Sequence, residues 1–117
     1  MTTLGVTVTH AAPGEVDLAL PFDERLTQQH GFLHAGAVAA VLDSACGYAA
    51  YSAADDEVEV LTVEYKINLL EPAVGERIDC RGRVVRRGRR LTVCHGEAYA
   101  GGTLIATSTT TMAVRPR

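Results

Sequence analysis

The chain has few aromatic residues: it contains no tryptophan, and only 5% of its residues are aromatic. Hydrophobic residues of all kinds nevertheless reach 47%, the proportion of an ordinary globular domain. The core must therefore be built from valine, leucine, isoleucine and alanine. A length of 117 residues predicts one domain over residues 1–117, small enough to favour burial of further surface in an oligomer.

Other absences exclude whole classes of protein. The net charge of −3 argues against a nucleic-acid-binding protein, and no N-terminal segment has the charged-then-apolar order of a signal peptide. The longest apolar run, residues 35–51, is too short to span a membrane and carries Asp43. The three cysteines are an odd number without metal-ligand spacing, which fits a reducing compartment. We expect a cytoplasmic protein with neither nucleic acid nor a membrane as a partner.

Asp43 is the only charged residue in the run 35–51, whose small and apolar side chains predict a buried helix over about 36–52. Burial of an unpaired carboxylate is costly because it disfavours the charged form. Chains keep such groups mostly where they perform chemistry. Two interpretations stay open here: Asp43 is catalytic, or it lies at the solvent edge of the helix or bonds a hydroxyl such as that of Ser44 or Thr62.

The remaining segments alternate with a period of two and are separated by turns. An opening hairpin is predicted over residues 6–20, followed by a short helical turn at 23–27. After the helix, one predicted strand face consists of Leu61, Val63, Tyr65, Ile67 and Leu69, and the opposite face of Thr62, Glu64, Lys66 and Asn68. Further strands are predicted near residues 78–84, 90–100 and 103–114. One long helix with four or five mostly consecutive antiparallel strands is an α+β fold, with the sheet laid against the helix.

Two segments carry a recognisable pattern. Residues 28–47 place His34 nine positions before Asp43, with small and apolar residues between them, and residues 62–73 form a strand that runs into a proline-containing turn. These segments resemble the signature of hotdog-fold acyl-CoA thioesterases of the phenylacetic-acid-degradation (PaaI-like) type. The resemblance covers residues 16–114 in order. It implies a hotdog fold, with an antiparallel sheet of about five strands wrapped around one long central helix.

The resemblance also implies a set of catalytic residues: Asp43, Ala35, Gln28, Thr62, His34 and Gly36. In that family Asp43 corresponds to the catalytic carboxylate and Ala35 to the residue whose backbone amide stabilises the oxyanion. Gln28 corresponds to a polar side chain near the carbonyl, and Thr62 to a hydroxyl that orients water. His34 is better interpreted as a structural residue that fixes the loop. The family usually has glycine where this chain has Ala35, which keeps the amide donor but adds a Cβ atom.

Elementary chemistry agrees with these assignments. Thioester hydrolysis needs a donor for the developing oxyanion and a carboxylate that activates water or attacks the carbonyl. The first turn of a helix offers unpaired N–H groups and partial positive charge. Ala35 and Asp43, however, are eight residues and about 12 Å apart along the helix. Two antiparallel copies of the helix across a two-fold axis would bring the two groups together. We therefore expect a homodimer with two composite sites, and the resemblance implies that dimers pair into tetramers.

Six arginines lie within ten residues: Arg81, Arg83, Arg86, Arg87, Arg89 and Arg90. Arginine binds phosphates well, and coenzyme A carries a 3′-phosphate and a pyrophosphate. We assign coenzyme A phosphates to Arg86, Arg87, Gly88 and Arg89, and the alternative is a solvated hairpin tip. No cofactor is expected besides coenzyme A as part of the substrate. No metal is expected either, because His30 and His34 lack a third ligand.

The function expected from the sequence is acyl-CoA thioester hydrolysis, with Asp43 as general base or nucleophile. One alternative is a hotdog hydratase or dehydratase, but the spacing of His34 and Asp43 differs from the motif expected for such an enzyme. The other alternative is a non-catalytic hotdog domain that binds acyl-CoA or another acyl ligand. Asp43, Gln28 and Thr62 together favour the enzyme.

Overall fold

A computed structural model of the chain describes residues 5–28, 31–55 and 57–117. Within these residues the elements are β1 (Thr7–Ala12), β2 (Glu15–Pro21), a 3₁₀ helix (Glu24–Leu26), α1 (Ala35–Ser52), β3 (Val58–Leu69), β4 (Arg77–Arg87), β5 (Leu91–Ala100) and β6 (Thr103–Pro116). The predicted hairpin, helical turn, long helix and α+β class are confirmed, with six strands where about five were expected. In the part of the chain described, no helix is long and apolar enough to cross a membrane.

The strands form one antiparallel sheet in the order β1-β2-β4-β5-β6-β3. The strands from β4 to β6 follow each other as predicted, whereas β3 pairs with β6 and lies at the edge of the sheet. Its twelve residues therefore have a neighbour on one side only. A long edge strand of this kind leaves a row of backbone N–H and C=O groups without partners in the single chain.

One side of α1 forms the core with the inner face of the sheet. The buried helix residues are Val38, Val41, Leu42, Ala45, Cys46, Ala49 and Ala50. The helix packs so closely on β4 that there is no room for a side chain at Gly82. A Cβ atom there would collide with the backbone oxygen of Ala45. Leu18, Leu20 and Ile78 are fully buried beneath it, so the predicted aliphatic core is confirmed.

The three cysteines, Cys46, Cys80 and Cys94, are free thiols in this core. Burial is the main cause that raises the pKa of the Cys80 thiol to about 12. A thiol held in its neutral form reacts slowly, because the thiolate is the nucleophilic species. Cys80 therefore serves the packing of the core.

The other side of α1 and the edge strand β3 are largely uncovered. Large apolar side chains on this surface are about half exposed: Tyr48, Tyr51, Leu61, Val63, Tyr65, Leu69 and Leu70. The prediction of a buried helix is thus wrong for the single chain, in which the sheet covers only one side of α1. Asp43 lies at the border of the covered side and is partly exposed.

A β-bulge in β3 changes which side chains face the helix. Thr62 pairs with Met112, but Glu64 pairs with Thr111, so Val63 is an extra residue between two registered pairs. Residues paired directly across strands lie on the same face, and Met112 is buried beneath α1. Thr62 therefore faces the helix.

Tyr65 pairs with Thr110, which is also buried, so Tyr65 shares the face of Thr62. The strict alternation predicted for this strand placed these two residues on opposite faces and is wrong at this point. A bulge locally increases the twist of a strand and re-aims its side chains.

Candidate active site

The N-terminus of α1 is capped by His34. Its backbone is extended (φ −63°, ψ 137°), and its Nδ1 accepts a hydrogen bond of 2.9 Å from the Gly36 N–H. Because Nδ1 accepts, the neutral ring carries its proton on Nε2. The N–H groups of Ala37 and Val38 donate to the His34 carbonyl oxygen. His34 thus satisfies three N–H groups of the first turn.

The Ala35 N–H makes no hydrogen bond among residues 5–28, 31–55 and 57–117. Ala35 is the first residue of the helix, and no residue other than glycine has a positive φ in the described ranges. A Cβ atom at this position therefore causes no backbone strain. The Gly36 N–H is already bound to His34, so the Ala35 N–H is the donor available to a ligand; a catalytic role for Gly36 stays a prediction.

The loop before the helix is held on both sides. The Leu33 N–H donates to Ala73 and the His34 N–H to Leu26, at 3.0 Å and 2.7 Å. The Gln28 N–H donates to the Phe32 carbonyl oxygen at 2.8 Å. His30, which the sequence analysis considered as a metal ligand, lies outside the described residues.

The Asp43 carboxylate is bonded to β3. Its Oδ1 accepts a hydrogen bond of 2.7 Å from the Thr62 hydroxyl, which also lies 3.4 Å from the Met112 sulfur. This is the hydroxyl contact that the sequence left open as an alternative. In the described part of the chain no hydrogen bond reaches Oδ2. One oxygen is therefore held in place, and the other can accept a proton or approach a carbonyl.

The predicted site residues fall into two separate cavities of the single chain. The first, here called the Ala35 cavity, has a volume of about 480 Å³ and includes Gln28, His34 and Ala35 in its wall. The second, the Asp43 cavity, has about 520 Å³ and includes Asp43 and Thr62. The two cavities share no lining residue. The fold thus places the Ala35 N–H in one cavity and the Asp43 carboxylate in another.

The arginine cluster also separates into two groups. By the strand register, Arg81 and Arg83 lie on the sheet face turned away from the helix. Arg83 pairs with Asp17 at 2.6 Å, and Arg81 lies 4.7 Å above the centre of the Tyr99 ring. These two side chains are engaged on the outer face and lie apart from both cavities.

Arg87 and Arg89 line a third cavity of about 270 Å³, together with Gly88 and Arg115; we call it the arginine cavity. Arg87 binds Asp55 through both guanidinium NH₂ groups, at 3.3 Å and 2.7 Å. Hydrogen bonding to this guanidinium holds the pKa of the Asp55 carboxyl below its usual value. The pairing with Asp55 could not be read from the sequence, since the two residues are 32 positions apart. Arg86 does not line the cavity.

Comparison with known proteins places the chain in a family. The model of the thioesterase superfamily matches residues 30–107. The chain belongs to this superfamily. A candidate esterase of Saccharolobus solfataricus is 32% identical over 90 residues, which are 77% of this chain and 64% of that protein. A candidate esterase of Halobacterium salinarum is 37% identical over 95 residues, 77% of this chain and 62% of that protein. The chain therefore spans less than two thirds of the length of these relatives.

Solved structures share the whole architecture. A thioesterase family protein from Silicibacter pomeroyi is 53% identical, with a TM-score of 0.97 over 100% of this chain and 89% of that chain. A mutant of the phenylacetic acid degradation protein PaaI from Thermus thermophilus is 27% identical, with a TM-score of 0.88 over 97% of this chain and 96% of that chain. These similarities confirm the hotdog fold and the resemblance to PaaI-like thioesterases.

Proposed function

We propose that this superfamily member hydrolyses acyl-CoA thioesters at a site shared between two subunits. The observation that carries the proposal is the division of the site. The Ala35 N–H, which has no acceptor among the described residues, lines one cavity, and the hydroxyl-bonded Asp43 carboxylate lines another. Each is one half of the machinery that thioester hydrolysis needs, and a second copy of the chain supplies the missing half.

In the proposed site, the thioester carbonyl oxygen accepts a hydrogen bond from the Ala35 N–H of one subunit. The partial positive charge at the helix N-terminus adds to this stabilisation as negative charge develops on the oxygen. The His34 cap keeps the neighbouring N–H groups engaged, so that the first turn keeps its geometry. Gln28 lines the same cavity, which supports the proposal that its polar side chain lies near the carbonyl.

Asp43 of the other subunit supplies the carboxylate. As a general base it takes a proton from water, whose oxygen attacks the carbonyl carbon; as a nucleophile it attacks that carbon itself and forms an anhydride that water then hydrolyses. Either route breaks the carbon–sulfur bond and releases the coenzyme A thiolate, which takes up a proton. The hydrogen bond from Thr62 to Oδ1 leaves Oδ2 for this chemistry in both routes.

The proposed pairing requires a two-fold axis that passes near one position on α1 and one position on β3. On α1, the midpoint between Ala35 and Asp43 is Ala39, a small residue that lets two helices approach closely. On β3, Thr62 lines the Asp43 cavity and Leu69 lines the Ala35 cavity, so the midpoint lies near residues 65–66. Antiparallel pairing of two β3 edges about this axis would join each Asp43 cavity to the partner's Ala35 cavity.

The same pairing accounts for exposed apolar side chains of the single chain that lie outside the Ala35 cavity. Tyr48 on the helix and Tyr65 on β3 are each about half exposed, and a second copy would cover both elements. We therefore propose a homodimer, which two-fold pairing of dimers extends to a tetramer as the resemblance implies. A reducing, cytoplasmic location is part of the proposal and is supported by the three free thiols.

The proposed activity is tested by following thiol release from a panel of acyl-CoA thioesters that differ in chain length, branching and aromaticity. The expected result is release of free coenzyme A above the uncatalysed rate for at least one class of acyl group. A folded, dimeric protein that binds an acyl-CoA but releases no thiol from any of them would support the non-catalytic alternative instead.

A prediction concerns the nucleotide end of the substrate. Arg89 lines the arginine cavity and is exposed, so it can bind a phosphate of coenzyme A. Arg89→Ala should raise KM for acyl-CoA several-fold with little change in kcat, because this contact is equally strong in ground and transition states. The size is limited to several-fold because exposed ion pairs are weak. The measurement is the pair of kinetic constants for a full-length thioester and for the matching acyl-pantetheine.

The matched control for this prediction is Arg81→Ala, on the outer sheet face beside Tyr99, which should leave KM unchanged. The acyl-pantetheine lacks the nucleotide and should show no difference between Arg89→Ala and the unmodified chain. Equal KM penalties on both substrates would contradict the phosphate assignment and leave the hairpin as a solvated tip. Arg87→Ala should have a similar or smaller effect than Arg89→Ala, because the Arg87 guanidinium is already paired with Asp55.

A further inference from the structure

We infer that the acyl group lies in the Ala35 cavity of one subunit while the coenzyme A arm passes through the Asp43 cavity of the other, and that this makes the enzyme selective for uncharged, apolar acyl groups. The inference rests on the proposed function. It states which end of the substrate lies in which cavity, and it names the residues that contact the acyl group.

The first argument is the continuity of the cavities. Val58 lines both the Asp43 cavity and the arginine cavity, so these two are neighbours along the C-terminal half of α1. The Ala35 cavity shares no lining residue with the arginine cavity. The distance from Asp43 to the end of the helix at Ser52 is about 13 Å by the helical rise. A nucleotide held by Arg89 therefore reaches the reaction centre through the Asp43 cavity.

The second argument is geometric. The sulfur and the acyl carbon are attached to the same carbonyl carbon and leave it in different directions. If the sulfur side occupies the Asp43 cavity, the acyl side must extend into the other half of the shared site. That half is the Ala35 cavity of the partner, whose oxyanion donor bonds the same carbonyl.

The third argument is the chemistry of the wall. Most side chains around the Ala35 cavity are apolar: Phe32, Leu33, Val38, Leu69, Leu70 and Ile105. Among the described residues no lysine or arginine lines it, and Glu71 is the one acidic residue of its wall. The Asp43 cavity, in contrast, includes Glu59 and Arg117 beside two tyrosines. A terminal carboxylate on the acyl group would meet no lysine or arginine among the described residues of the Ala35 cavity and would be repelled by Glu71.

The exposure of two leucines supports this assignment. Leu69 is 58% exposed and Leu70 is 51% exposed in the single chain, although both line the cavity. Apolar side chains that remain open to water in a cavity gain stability when an apolar ligand covers them. Leu69 and Leu70 thus contact the acyl group and determine which acyl groups bind.

The test compares two acyl-CoAs of similar length, hexanoyl-CoA and glutaryl-CoA, which differ in a terminal carboxylate. The unmodified chain should prefer hexanoyl-CoA in kcat/KM. Leu70→Arg places a cation in the Ala35 cavity and should raise the ratio of glutaryl-CoA to hexanoyl-CoA by between about three- and fivefold, the upper part of the range for an exposed ion pair. The matched control, Tyr51→Arg, places the same cation in the Asp43 cavity and should leave the ratio within about twofold.

The outcomes separate the inference from the proposed function. A ratio raised by Tyr51→Arg and unchanged by Leu70→Arg would place the acyl group in the Asp43 cavity and overturn the inference, while hydrolysis itself stands. No thiol release from any thioester by the folded, unmodified dimer would overturn the proposed function. If Leu70→Arg fails to assemble in sedimentation, Leu70→Trp replaces it, and the expected result is a shorter preferred acyl chain. An unchanged chain-length profile in that variant would equally contradict the inference.

Discussion

Asp43→Asn should leave a folded dimer whose kcat for acyl-CoA hydrolysis is about 10²–10⁴-fold lower than that of the unmodified chain, the usual contribution of general-base catalysis. The substitution keeps the volume of the side chain, and the amide oxygen can still accept the hydrogen bond from Thr62. It removes only the negative charge and the basicity of the group. The loss should therefore appear in kcat, measured by thiol release at saturating substrate.

The matched control is Asp79→Asn, which makes the same change on a carboxylate that pairs with Arg77 outside the Asp43 and Ala35 cavities. This variant should keep the kcat of the unmodified chain. The thermal midpoint and the sedimentation coefficient of both variants should match those of the parent, which separates loss of chemistry from loss of fold. Parent-like turnover by the Asp43→Asn dimer would remove this carboxylate from the mechanism.

Ala35→Pro should lower kcat about 10²–10³-fold, the cost of one lost oxyanion donor. Proline removes the N–H and is well tolerated at the first position of a helix. No internal hydrogen bond is lost, because the Ala35 N–H makes none among the described residues. The preceding His34 already has the extended conformation that a following proline requires. The variant should therefore fold normally, which a thermal melt would verify.

The control for Ala35→Pro is Ala35→Gly, which keeps the N–H and restores the residue that the family usually has at this position. This variant should retain kcat within a few-fold, because the first helical position has a negative φ that both residues adopt. A proline variant as active as the glycine variant would show that the oxyanion is stabilised elsewhere.

Much of the fold followed from local patterns. The helix was predicted over about 36–52 and lies at Ala35–Ser52, and the hairpin turns lie between the strands predicted near residues 78–84, 90–100 and 103–114. These features are local, because hydrophobic period and turn residues act within a few positions of the chain. The pairing of β3 with β6 was not predicted, since it joins segments that are far apart in the chain. Local periodicity carries no information on which distant strands pair in the sheet.

The placement of Thr62 shows a second limit. Simple alternation predicted that Thr62 and Tyr65 lie on opposite faces of β3. In the structure the bulge at Val63 places both on the face toward the helix. Nothing in the local sequence marks the bulge, since the extra residue is a valine and no glycine is nearby. The resemblance to a family predicted that Thr62 belongs to the site, whereas simple alternation placed Thr62 and Tyr65 on opposite faces of the strand.

The partial exposure of Asp43 follows from the way the sheet covers α1 in the single chain. A helix that is apolar on all sides is buried on all sides in the final assembly. The run 35–51 has that character, but in one chain the sheet covers only the side of Val41 and Leu42. In the single chain, the partial exposure of Asp43 and its bond to Thr62 agree with the alternative that the sequence left open, a carboxylate at the solvent edge of the helix bonded to a hydroxyl. We propose that the second subunit provides the missing cover.

The central claim, a site shared by two subunits, is tested most directly by mixing Asp43→Asn chains with Ala35→Pro chains under conditions that allow subunit exchange. In a hybrid dimer, one site combines both defects, and the other combines an intact Asp43 with an intact Ala35. Half of the dimers are hybrids after random exchange, so the mixture should recover about one quarter of the parent activity. A mixture that stays at the average of the two defective variants, with hybrids demonstrated by differently tagged chains, would contradict the shared site.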